Sequence, residues 1–257
     1  MRILVLNPNT TQAFTEAIGS TAVQAKSSGT DIICLNPLAG PRSIESDYDE
    51  LLSVAPCLDV IIPRQADFDA LVIACYGNHP VIPAAREILR QPVVGIMEAS
   101  LHLACMVGHS FSIITSGDRA VTMFWRGVRA LGLESQCASV RSTHTPVLAL
   151  EGERKMDVRE LILEEARKAI EDDGAEVISL GCAGMVGLAE QMTQKLGVPV
   201  IDGVAAGVRV AEALVGCDLH TSKRRAYAPL GEKEFVNMPS YLHNPVRPDK
   251  PDDTQEV

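Results

Sequence analysis

The sequence predicts an α/β fold in which parallel sheets are flanked by helices, and three observations lead there. Short apolar runs alternate with stretches of helical character along the 257 residues, the pattern of strand–crossover–strand units with right-handed connections. The runs, of which Ala70-Leu71-Val72-Ile73-Ala74 is typical, are apolar on both faces, as parallel strands buried between helix layers must be. Aromatic residues make up 4% of a chain that is 46% hydrophobic, so Val, Ile, Leu and Ala fill the core, which favours α/β packing over an aromatic-rich sandwich.

The chain opens on the apolar run 2–7, a buried first strand. A helix over 10–27 follows, with Asn9 or Thr10 placed to cap it. A strand at 31–35 leads into the loop Gly40-Pro41-Arg42-Ser43-Ile44-Glu45, where Ser43 has the flavour of a capping box ahead of a helix over 47–65. A strand at 69–75, a helix at 80–90, a strand at 93–97 and a helix at 98–107 come next. The strand at 110–115 ends in Thr115-Ser116-Gly117-Asp118, which offers hydroxyl and N–H donors, and a helix covers 118–131. The rest reads as strand 137–141, helix 154–172, strand 175–180, helix 185–196, strand 198–202 and helix 203–215. Residues 244–257, rich in proline and charge, are expected to be extended or disordered.

An internal repeat runs through these elements. Asp69 begins an apolar strand that ends in Cys75-Tyr76-Gly77; Glu176 begins one that ends in Cys182-Ala183-Gly184. Seventeen residues past each cysteine a proline, Pro92 or Pro199, opens the next strand, so the offset is 107 throughout. Two similar α/β halves are implied, each presenting a cysteine at the carboxyl end of a parallel strand, where open α/β sheets bind ligands. If the halves face each other about a pseudo-twofold axis, the two cysteines come to opposite walls of one cleft.

Two thiols so placed suit inversion of a stereocentre next to a carbonyl, which needs a base on one face and an acid on the other. A thiol titrates close enough to cellular pH to serve as either. Glycines beside each cysteine would let the backbone approach a substrate oxygen, and their N–H groups would stabilise a developing enolate. His79, four residues past Cys75, is more simply a satisfied loop histidine than a ligand.

The formal net charge of −10 argues against nucleic acid as a partner. No apolar run approaches the ~20 residues of a membrane span, and the first residues lack a cleavage signature, so a cytoplasmic protein is expected. The seven cysteines, at 34, 57, 75, 105, 137, 182 and 217, are then free thiols, with no CxxC pair and no zinc-site spacing. Dinucleotide, P-loop and GxSxG signatures are absent.

At these residues the chain resembles the aspartate/glutamate racemase superfamily, and within it the hydantoin/allantoin racemase branch. The start Met1 to Thr11, the Gly-Pro-x-Ser-Ile-Glu segment at 40–45, Ile73-Ala74-Cys75-Tyr76-Gly77 and Leu180-Gly181-Cys182-Ala183-Gly184-Met185 carry the likeness, which runs over about residues 1–216. The resemblance implies a cofactor-independent isomerase, usually oligomeric. It also implies two pseudosymmetric lobes, 1–97 with 205–243 and 98–204, with the active site in the cleft between them. It makes Cys75 and Cys182 the acid/base pair and lines the cleft with Asn9, Gly77, Thr115 and Gly184, with Ile44 near the entrance. Asn78, Ser116 and Ala183, adjoining these positions, are counted with the substrate-binding set; no metal is called for. The branch usually follows the first cysteine with an aromatic residue, Gly, Asp and Pro; this chain has Asn78-His79 after Gly77. The expected substrate is therefore a 5-substituted hydantoin or an allantoin-like ureide. An amino-acid racemase, a maleate-type isomerase, a decarboxylase or a non-catalytic ligand-binding relative are the alternatives.

Overall fold

The computed structural model describes residues 1–150 and 155–228 together with positions 230, 231, 234, 236 and 237; the expected tail at 244–257 lies outside them. The first eight elements are β1 (Arg2–Leu6), α1 (Gln12–Ala25), β2 (Asp31–Leu35), α2 (Asp47–Ile61), β3 (Ala70–Ile73), α3 (Val81–Ile88), β4 (Val93–Gly95) and α4 (Ile96–Val107). The second eight are β5 (Phe111–Thr115), α5 (Asp118–Ala130), β6 (Cys137–Ser142), α6 (Lys155–Glu171), β7 (Val177–Leu180), α7 (Ala189–Leu196), β8 (Val200–Ile201) and α8 (Gly203–Gly216). Every strand and helix expected from the sequence is present. α7 starts four residues later than expected, because Ala183–Met185 forms a separate 3-10 turn and Gly187 takes a φ of +78° before the helix begins.

The strands form two parallel four-stranded sheets, ordered β2-β1-β3-β4 and β6-β5-β7-β8. The order repeats, and so does the register. Leu71 stands opposite Val93 in the first sheet and Ile178 opposite Val200 in the second. The 107-residue offset of the sequence is thus a three-dimensional repeat of strand and partner.

Both faces of the central strands of the first sheet, β1 and β3, are buried, as their uninterrupted apolar runs require. Ile3 and Val5 join the core that extends into the second sheet, while Leu4 and Leu6 join a smaller core built with Cys57 and Ile61 of α2 and Val81 and Ala85 of α3. Residues 3–6 and 70–73 are all fully buried, each Val, Leu or Ile side chain contributing ~1.5–3 kcal/mol. α8, capped by Asp202 accepting from the Val204 and Ala205 N–H groups, packs on β3, β4 and α4. A Cβ on Gly207 would come within 2.9 Å of the Val72 side chain, so glycine is what lets α8 lie this close to β3. Beyond α8, Thr221 donates from its backbone to Arg90 and from its hydroxyl to Gln91, tying the chain back to the first half.

The loops before the first two helices differ from expectation. Thr11 is the N-cap residue of α1, and Asn9 instead accepts from the Thr11 N–H at 2.9 Å. α2 is capped by Ser46 and not Ser43. Ser46 accepts from Asp49 N–H, and the Asp49 carboxylate accepts from Glu45 N–H and the Ser46 hydroxyl, a reciprocal box built with aspartate.

Candidate active site

The carboxyl ends of β1, β3, β5 and β7, the two central strands of each sheet, open on a single cavity of about 480 Å³. Matching hydrogen bonds fix the backbone just ahead of the cysteines: Ala74 N–H donates to Leu6 at 2.8 Å, and Gly181 N–H to Ile114 at 2.8 Å. Cys75 and Cys182 follow these anchors and both line the cavity. All seven cysteines are free thiols. Gly181 has no room for a side chain, since a Cβ would lie 2.8 Å from Ile113 Cγ2 and 2.9 Å from the Ile114 carbonyl oxygen.

Of the residues singled out from the sequence, Asn9, Ile44, Thr115, Ser116, Ala183 and Gly184 also line this cavity. Asn9 Oδ1 is already engaged by the Asn7 amide and the Thr11 N–H, so its own amide hydrogens are what it can offer a ligand. Ser116 holds the wall on the β5 side together: its carbonyl accepts from Thr145 N–H and from the hydroxyls of Ser142 and Thr143. Gly77 and Asn78 do not join this lining. The backbone turns at Gly77, with φ at +155°, and carries both into a second cavity of about 200 Å³ shared with Arg86 and Glu98. The space next to Gly77 is taken by Glu50, whose Oε1 lies 3.2 Å from where a Cβ would be.

The family described as Asp/Glu/Hydantoin racemase matches residues 3–211. The chain belongs to that family. Over 237 residues it is 43% identical to the hydantoin racemase of Pseudomonas sp. (strain NS671), covering 92% of this chain and 94% of that one. It is 40% identical to the hydantoin racemase of Paenarthrobacter aurescens, covering 92% and 100%. Among solved structures, allantoin racemase from Klebsiella pneumoniae superposes with a TM-score of 0.90 at 39% identity, covering 95% and 99%. The activity of the chain is accordingly that of an isomerase, a racemase.

The two thiols in this racemase are half-buried, with a carboxylate near each of them. Burial pushes Cys182 up to about 11, against the pull of a hydrogen bond from Gly184 N–H, with Glu45 adding to the rise. Burial also raises Cys75 well above the ordinary thiol value, and Glu50, Cys182 and Cys57 add to it. The β3 and β7 sides of the cavity are pinned together where Tyr76, 4% exposed, shares a 2.6 Å hydrogen bond with Ser179 and stacks at a tilt on Phe124. Within the lining, His144 pairs with Asp118; outside it, Asp47 of α2 pairs with Arg126 of α5 at 2.6 Å.

His79 is fully buried and satisfied. Its Nδ1 accepts from Val81 N–H, and Nε2 lies 2.9 Å from the Ser53 hydroxyl, which itself donates to the Glu50 carbonyl. Sequence reasoning missed Glu50, Tyr76, Phe124 and the 144–147 loop as parts of the site. Only the helical period of α2, which puts Glu50 on the same face as Ser53 and Cys57, carried a signal for one of them. Among the described residues no group of three or more His, Cys, Asp or Glu side chains is arranged to hold a metal ion, and no helix is long and apolar enough to cross a membrane.

Proposed function

We propose that this racemase inverts the stereocentre of a neutral cyclic ureide, a 5-substituted hydantoin or allantoin, with Cys75 and Cys182 as the acid/base pair. The observation that carries the reading is that both cysteines, and no other cysteine, line the one cavity onto which the four strand ends open among the described residues. One thiolate removes the proton from the carbon next to the carbonyl; the other thiol returns a proton to the opposite face, and the two exchange states on turnover. Asn9, Thr115 and Ser116 line the cavity, and in this reading their amide and hydroxyls hydrogen-bond the ring oxygens and the negative charge that develops on them. Burial sets a cost. Cys182, titrating at about 11 even with the Gly184 N–H donating to its sulfur, is ionised in roughly one molecule in a thousand at pH 8, and that minor thiolate is the form that takes the proton.

The charge of the lining favours a neutral ligand. Glu45, Asp49, Glu50 and Asp118 face the cavity against Arg119 and a His144 already paired with Asp118. A dicarboxylate such as aspartate or maleate would meet net repulsion there, whereas a ureide ring offers donors to those carboxylates. The walls are read as belonging to lobes 1–97 with 205–243 and 98–204, working in the cytoplasm as a homo-oligomer. Exposed Met106 and Val107 on α4 and Tyr48, Leu51 and Leu52 on α2 are apolar surface suited to self-association; light scattering tests the oligomer.

The decisive experiment follows one enantiomer of a 5-substituted hydantoin or of allantoin by polarimetry and by exchange of its C5 hydrogen in D₂O. Loss of rotation together with exchange is expected, with aspartate and glutamate left unchanged. Racemisation of either amino acid in preference to the ureides would overturn the substrate class.

A further inference from the structure

The two thiols repeat each other in sequence but not in surroundings. Cys182 Sγ accepts a hydrogen bond from Gly184 N–H at 3.3 Å, the contact that caps the Ala183–Met185 turn. Cys75 Sγ has no such donor among the described residues. Against it α2 places Cys57, fully buried, and Glu50, a cavity-lining residue only 8% exposed.

Glu50 is unusual in its own right. Its carboxyl group makes no hydrogen bond or ion pair among the described residues, although the backbone around it is fixed at both ends. Glu50 N–H donates to Ser46 at 3.0 Å, and the Glu50 carbonyl accepts from the Ser53 hydroxyl at 2.7 Å. Ser53 spends its one hydrogen there, so it must accept from His79 Nε2–H, while His79 Nδ1 accepts from Val81 N–H. Each donor and acceptor is used once, and the imidazole is the neutral Nε2–H tautomer. The loop that carries Cys75 and the turn of α2 that carries Glu50 are thereby held as one unit.

We propose that Glu50 is a positioning residue that makes the two thiols inequivalent, its carboxylate keeping the proton on Cys75 so that Cys182 is the thiol that ionises first. The inference rests on the two-thiol reading above and adds to it the order in which the thiols ionise. The groups facing each sulfur agree with it. Cys75 faces Glu50 and Cys57 from α2 and Cys182 from the other wall, all of which oppose its ionisation, and the neutral His79 does not offset them. Cys182 faces Glu45, which opposes its ionisation, and Gly184 N–H, which favours it. Glu50 is itself pushed up to about 7 by burial and by Asp47, with Arg126 pulling the other way. Its charge is therefore present above neutrality and absent below it.

The test is peptide-resolved alkylation of the full-length chain with iodoacetamide. In the wild type at pH 8.5, Cys182 is expected to label about tenfold faster than Cys75. Glu50→Gln should speed Cys75 about tenfold at pH 8.5, because more of it is then thiolate, and leave Cys182 within about twofold. At pH 6 the effect of the substitution on Cys75 should vanish, because Glu50 is then already protonated. Glu50→Asp, which keeps the charge on a shorter stem, should speed Cys75 less than Gln does. Faster labelling of Cys75 than Cys182 in the wild type, an effect of Gln that is the same at both pH values, or an Asp effect as large as that of Gln would each overturn the proposal. Labelling needs no turnover, so its outcome is separate from the polarimetric test of racemisation.

Discussion

At the scale of single residues, the two cysteines were legible because the repeat set them apart from the other five; Glu50 was not. In the sequence it ends the run Ser46-Asp47-Tyr48-Asp49-Glu50, which reads as the solvated first turn of a helix, yet in the fold it is 8% exposed, with its carboxyl against the Gly77 turn. Cys75→Ser and Cys182→Ser should each abolish net racemisation in polarimetry while leaving the fold intact, since a serine hydroxyl is far too weak an acid and base here. Either variant that still racemises fully would contradict the two-thiol scheme. Glu50 and His79 also make opposed contributions to stability. Burial lowers His79 from 6.5 to about 4, so its contribution is complete above pH 6.5 and is lost as pH falls through 4, worth up to ~3 kcal/mol. Glu50, raised from 4.5 to about 7, contributes fully below pH 4.5 and loses this as pH rises through 7, by less, since the open cavity screens it. Across roughly pH 4.5–6.5 the two slopes oppose each other. Glu50→Gln should therefore steepen the rise of the urea midpoint with pH in that window, and an unchanged slope would show that these groups do not titrate as their burial implies.

At the scale of elements, strand positions were readable to within a few residues because the central strands are buried on both faces, leaving mostly apolar runs. The turns were less so. Ser43 looked like a helix start, yet Asp49 completes its box with Ser46, and a short polar loop with several Ser and Asp residues does not reveal which pair will close. The match of Gly77 to Gly184 points it at the cavity, but Gly184 sits against Phe14 and Leu150, whereas Gly77 turns the chain behind Glu50. The glycine that sequence matching did not single out is Gly181. Gly181→Ala pushes a methyl group against the backbone of β5, which cannot rotate away. A loss of ~1–3 kcal/mol in urea unfolding is expected, together with reduced racemisation because Cys182 is the next residue. A variant as stable and active as the wild type would mean that β7 can shift at no cost.

At the scale of the whole molecule, the duplication is legible in the 107-residue offset alone, and the order of the two sheets repeats it strand for strand. How the halves are joined was not legible, because contacts such as Tyr76–Ser179 pair residues that no local pattern connects. Ser179→Ala leaves the buried Tyr76 hydroxyl without its partner; a loss of ~1–3 kcal/mol is expected in urea unfolding, and no loss would mean that the bond contributes nothing to joining the halves. Buried and half-buried thiols act on the fold as a set. Burial raises Cys34 and Cys182 to about 11, and Cys57 and Cys137 to about 12, from an ordinary value of 9.0. The stability these neutral thiols contribute is complete below pH 9 and is lost as pH rises toward 11–12. The urea midpoint should accordingly drop between pH 8.5 and 10.5, and a flat profile would show that the thiols are not shielded as the packing indicates.

The unlike surroundings of Cys75 and Cys182 bear on what kinetics can reveal. Two mirror-image molecules have equal free energy in water, so their equilibrium ratio is unity whatever the protein does. The ratio kcat/KM must therefore be the same for both hands, however different the two sulfurs are. An uneven pair of thiols can show itself only as a kcat and a KM that both differ between the enantiomers by one common factor. Altering Glu50 should move that common factor toward one, while the two kcat/KM values stay locked to each other.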